Sequence, residues 1–195
     1  MKEAISILKS EHRSISAVLH ALKELGRMAH DATARPRFQV LRSMVRYIDE
    51  YPEKLHHPKE DEHLFARLLA RAPESRVLVE ALQAEHEEGA RLIRELERAL
   101  LFMEEGWPVG AREFRKAVDA YAEFHWKHMR KEEQELLPLA EPDRIGRQTD
   151  DAREQLLEVA LLHAGDRVAI GGEGGVDRLP VFRREMALGE RWQGV

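Results

Sequence analysis

FRKAVDAYAEFHWKHMRKEEQELLPL, residues 114–139, carries an apolar seam Phe114, Val118, Tyr121 that runs at helical spacing straight into His125, His128 and Glu132. Three polar groups take the places of hydrophobes on one face, a costly arrangement unless something satisfies them. The segment reads as a helix, D, over about 110–139, and the same test applied outward finds three more. Helix A covers about 2–30, with seam positions Ile5, Leu8, His12, Ile15, Leu19 and Leu22. Helix C covers about 74–105, on Val79, Leu82, His86, Gly89, Ile93, Leu96, Leu100 and Met103, and stops at Gly106-Trp107-Pro108. Helix B starts at Phe38, Leu41, Val45 and Ile48, with Pro36 suited to its first turn. Pro52 and Pro58 kink or break it before it continues to about residue 71. Short connections make consecutive helices antiparallel neighbours, so the predicted fold is all-α, an up-down-up-down four-helix bundle over 1–140. Residues 141–195 form a C-terminal extension, with a candidate fifth helix at 149–162 and a flexible Gly-rich linker at 171–175.

Composition narrows the chemistry. The 195 residues include no cysteine, which excludes thiolate zinc sites, iron–sulfur clusters and thiol nucleophiles, so any metal must be held by imidazole and oxygen. The net charge is −5 with both signs interspersed, so no basic stripe points to nucleic acid. No apolar run has the length of a membrane span, and the expectation is a cytoplasmic protein without a membrane partner.

His12 and His86 interrupt apolar seams, and Gly89, one turn beyond His86, leaves room beside it. On helix B the row His57, Asp61, Leu64, Leu68 leads onto an apolar face, whereas His56, Glu60, His63, Arg67 is polar throughout, making His57 and Asp61 the predicted inward pair. Counted along antiparallel helices, His12, His57, His86 and His128 lie at one depth, roughly 14 to 21 Å from the same end. Asp61 and Glu132 each follow a histidine by four residues, so each carboxylate shares a face with its imidazole. Four imidazoles and two carboxylates exceed the needs of a tetrahedral zinc and suit two six-coordinate ions bridged by the carboxylates. A bridging oxide or hydroxide would leave two positions open for a small exogenous ligand. Tyr47 and Tyr121 are candidate hydrogen-bond donors nearby.

Ser10-Glu11-His12, the run His56 to Phe65, Glu85-His86, and the run His125 to Glu133 before Leu137-Pro138-Leu139 together resemble the bacterial hemerythrin-like HHE family across about 1–140. The resemblance implies two iron ions, with His12, His57, His86 and His128 as terminal ligands and Asp61 and Glu132 as bridges. Oxygen carriers of that family have a fifth histidine on helix C, where this chain has Leu82, so His125 or solvent would take its place. The family usually carries Glu where this chain has Asp61, which leaves Glu60 as the alternative bridge because Pro58 distorts the local helix phase. The expected activity is binding of O2 or NO, or sensing of redox or iron status. The alternatives are a stress-defence enzyme consuming peroxide or NO, an iron-handling protein, or a bundle with a non-redox cation. A homodimer, or a protein partner met through the extension, is the expected assembly.

Overall fold

The computed structural model describes residues 2–31 and 35–141, so the fifth-helix and linker expectations at 149–162 and 171–175 lie outside the described residues. Helix α1 spans Lys2–His30, α2 spans 38–71, α3 spans Arg76–Gly106 and α4 spans Ala111–Lys131. Among the described residues there is no strand and no helix long and apolar enough to cross a membrane. Packing joins α1 to α2, α2 to α3, α3 to α4 and α4 back to α1, the ring of neighbours of an up-down-up-down bundle.

The predicted kink in α2 takes a specific form. α-Helical turns at Phe38–Ile48, His57–Lys59 and Ala66–Arg71 alternate with π-helical turns at Asp49–His56 and Glu60–Phe65. A π-turn bonds residue i to i+5, so it absorbs an extra residue without breaking the helix and rotates the residues C-terminal to it. Pro52, which has no N–H to give, sits in the first of these turns, and its carbonyl accepts from His57 N–H five residues on. α4 also ends in a π-turn, Glu132–Leu136, closed by Leu137 N–H to the Glu132 carbonyl at 2.8 Å. Pro36 precedes α2 instead of entering its first turn, and Arg37 takes the cap position.

Ile15, Leu19, Leu22, Leu41, Ile48, Ile93, Leu96, Met103, Phe114 and Val118 are buried on one side of the histidine layer. On the other side Phe65, Leu68, Val79, Leu82 and Leu136 form one apolar cluster, and Ile5, Leu8 and Leu137 another. The polar layer is therefore held between two apolar plugs. The turn between α3 and α4 depends on Gly110, whose φ is +86°; a Cβ there would lie 2.7 Å from Phe102 Cδ1 and 3.0 Å from Met103 Cα. Gly110→Ala is expected to cost about 1–3 kcal/mol, read as a lower midpoint in thermal unfolding with the helical signal retained.

Candidate metal centre

The π-turns decide which residues of α2 face inward. From buried Phe65 the i+5 step leads back to Glu60 and a further i+4 step to His56, so the row facing the bundle is His56, Glu60, Phe65. The Glu60 side chain is 1 % exposed and that of Asp61 is 33 % exposed. The expectation of Asp61 as the inward carboxylate is corrected accordingly, because a uniform α-helical count assigns the face of Leu64 instead of that of Phe65. His57 remains inward beside His56, both being buried.

Three donor groups result, each with its atoms within 4.8 Å of one another: His12, His56, Glu60 and Glu132; His57, His86 and His128; and Glu60, His86, His128 and Glu132. Two carboxylates are thus shared between a two-histidine side and a three-histidine side. Glu132 Oε2 lies 3.3 Å from His12 Nε2, and its Oε1 lies 3.4 Å from His128 Nε2 and 3.9 Å from His86 Nε2. Glu60 Oε1 lies 3.8 Å from His12 Nε2, while its Oε2 lies 3.5 Å from His56 Nε2 and 3.7 Å from His86 Nε2. Nε2 of His12, His56, His86 and His128, with both oxygens of Glu60 and of Glu132, are buried without a hydrogen-bond partner. So many polar atoms converging in one buried layer, with only one another to face, have the donor set of a cation site.

The opposite ring nitrogens are all spoken for. Nδ1 of His12 donates to Glu133 at 2.9 Å, that of His56 to Glu11 at 2.8 Å, that of His86 to Asp61 at 3.1 Å and that of His128 to Glu85 at 2.9 Å. A carboxylate behind Nδ1 fixes the tautomer and orients the ring so that Nε2 is the atom left to face a cation. Asp61 belongs to this outer set. Lys59 in turn donates to Glu11 at 2.6 Å, and Lys131 donates to Glu85.

These contacts repeat. Glu11-His12 and Glu85-His86 occupy α1 and α3, while His56-x-x-Lys59-Glu60-Asp61 and His128-x-x-Lys131-Glu132-Glu133 occupy α2 and α4. In each half the glutamate before the first histidine takes the second histidine and the lysine. The acid after the shared carboxylate takes the histidine of the other half. His57 has no counterpart, since Met129 holds the equivalent place. Comparing the two halves of the sequence would have located His56, Glu60, Glu11 and Glu85 directly.

The profile of the hemerythrin HHE cation binding domain matches residues 3–140. The chain belongs to that family. None of the curated proteins and none of the solved structures compared with it matches. Within this HHE domain His125 stays outside all three donor groups: its Nε2 lies 3.1 Å from Glu53 Oε1. The fifth histidine brought to the cluster is His56 of α2, which corrects the candidacy of His125, and Leu82 remains an apolar core residue. Tyr121 is buried and donates to Glu53 at 2.5 Å, whereas Tyr47 is half-buried and stacks on Tyr51 with centroids 5.5 Å apart. The space beside Gly89 is filled by Glu53 and His125.

Charge in the metal-free cluster is balanced by protons. Burial works against charge on His12, but Glu132 and Glu60 outweigh it and push the imidazole up to about 10. His86 is raised to about 9 against the same burial by Asp61, Glu132 and Glu60. Glu132 is held well below the carboxylate range by His128, His12 and His86 in spite of its burial. His57, by contrast, is driven down to about 3, chiefly by burial, and is neutral. A metal that takes His12 and His86 as ligands would displace their protons. Loading at pH 7 is therefore expected to release about two protons per chain, measurable by calorimetry in buffers of different ionisation enthalpy. The release should fall, and affinity stop rising, as pH passes through about 9 and 10. In the metal-free fold the two raised imidazoles contribute stability below the unfolded value, roughly 6.5, and that contribution is lost through the same alkaline window.

Proposed function

We propose that this HHE domain holds two iron ions that share Glu60 and Glu132 and uses them to bind a small diatomic or anionic ligand, O2 or NO, or to report redox or iron status. The observation that carries the reading is the sharing itself: two carboxylates with both oxygens unpartnered stand between two and three imidazoles whose Nδ1 sides face carboxylates. His12 and His56 would serve one ion, and His57, His86 and His128 the other. Five imidazoles and two bridging carboxylates fill nine of the twelve positions of two octahedral ions, one more than four histidines would. The two-histidine side has the larger share of the remaining positions, so the exogenous ligand is assigned there.

Bound iron would supply a reversible change of oxidation state and a coordination position for the ligand. The chain's own contribution is orientation and exclusion of water. Outer carboxylates lock four of the five rings, Lys59 and Lys131 hold two of those carboxylates, and the apolar plugs on both sides keep the local dielectric low. A di-iron enzyme that consumes peroxide or NO would use the same residues, so kinetics separates the two readings.

Anaerobic loading with ferrous iron followed by oxygen is expected to give about two irons per chain with new visible charge-transfer bands, and less in His12→Ala and His86→Ala. Less than one iron per chain, unaltered in those variants, would sink the di-iron reading. An adduct that releases its oxygen when the pressure is lowered supports a carrier or sensor; sustained turnover of peroxide assigns the enzyme.

A further inference from the structure

A second buried polar group lies against the cluster and is not used by it. The Glu53 side chain, on the first π-turn of α2, is 3 % exposed. Its Oε1 accepts from Tyr121 and lies 3.1 Å from His125 Nε2. Its Oε2 lies 3.5 Å from Nδ1 of His57. That oxygen and that nitrogen are both buried without a hydrogen-bond partner, and each is the other's facing atom. The backbone of α3 makes room for this group: a Cβ on Gly89 would lie 3.2 and 3.3 Å from the two Glu53 oxygens and 3.3 Å from His125 Nε2. Glu53 and His125 also stand three residues before His56 and His128, so they are equivalent positions of the two halves and meet each other. His57, the ligand without a counterpart, is the one they serve, its ring parallel to that of His125 at 5.5 Å.

We propose that Glu53, held by the Tyr121 hydroxyl beside His125 in the space that Gly89 leaves, is a positioning residue that turns Nε2 of His57 toward the three-histidine side and makes the two ion positions unequal in affinity. The inference rests on the two-ion reading above. A carboxylate at 53 can only accept, so the His57 proton stays on Nδ1. Glu53→Gln would offer an amide N–H to Nδ1 and favour the tautomer whose proton occupies Nε2, the wrong one for a ligand.

The test is an anaerobic ferrous titration of the full chain against a chromophoric chelator, with near-infrared circular dichroism of the bound ions as the spectroscopic signature. The wild type should fill in two resolved steps. Glu53→Gln should weaken about 10–100-fold the same step that His57→Ala weakens, and leave the other step unchanged. Tyr121→Phe, which keeps the ring and removes one hydroxyl, should move that step in the same direction and decides the matter if Glu53→Gln fails to fold. Glu11→Gln, behind His56, should act on the other step. Wild-type affinities in Glu53→Gln or Tyr121→Phe, or equal weakening of both steps, overturn the inference while leaving the two-ion reading intact. A wild type that binds a single ion removes both.

Discussion

Glu60→Ala is expected to lose metal far beyond the ~10–100-fold that removal of an outer partner costs, whereas Asp61→Ala should stay within that range. The two neighbours differ in what they touch. Glu60 presents both oxygens, unpartnered, to His12, His56 and His86, while Asp61 accepts from Nδ1 of His86 at the rim. In the metal-free chain Glu60→Ala should lower the midpoint, because it leaves the protonated His12 and His86 with one buried carboxylate fewer. A Glu60→Ala chain that folds with a lower midpoint and fails to retain iron is thus the expected pair of results, read by thermal unfolding and by metal content after desalting. Equal losses in the two variants would mean that the π-turn phase does not select between them.

Metal should add measurably to the stability of the bundle. A ligand present at about 1,000 times its dissociation constant adds about 4 kcal/mol, which in a chain of this size raises the midpoint by roughly 8–16 °C. The physical origin lies in the layer between the plugs, where four imidazole nitrogens and four carboxylate oxygens are buried without hydrogen-bond partners and face one another at ion-pair distances. Chelation should lower the midpoint by that amount and ferrous iron restore it. A midpoint indifferent to chelator and metal would mean that the buried carboxylates and protonated imidazoles satisfy one another without an ion.

The helices were legible because their seams are long and regular: Ile5 to Leu22, Val79 to Met103 and Phe114 to Tyr121 keep a 3.6-residue period over several turns. His12, His86, His128 and Glu132 interrupt those regular seams, so their inward direction followed from the count. α2 defeated the count. Its two π-turns change the step from four residues to five, so the face containing His57 and Asp61 on an α-helical wheel is, in the bundle, shared by His56, His57 and Glu60. Pro52 and Pro58 signalled a distortion but not its sense, since a proline kink and a π-turn rotate the downstream residues differently. The outer carboxylates Glu11, Glu85 and Glu133 were hidden for another reason. They sit at partly exposed edges among many other charged residues, and only pairing across helices distinguishes them. Their signal in the sequence is the repeat of Glu-His and of His-x-x-Lys-Glu-acid, visible when the two halves are aligned with each other.

The measurement that bears most directly on two ions sharing Glu60 and Glu132 is anomalous diffraction at the iron edge from crystals of the iron-loaded chain. Two peaks are expected, one against His12 and His56 and one against His57, His86 and His128, both in contact with the same two glutamates. A single peak, or a second ion held by Asp61 or His125 in place of Glu60 or His56, would contradict the account.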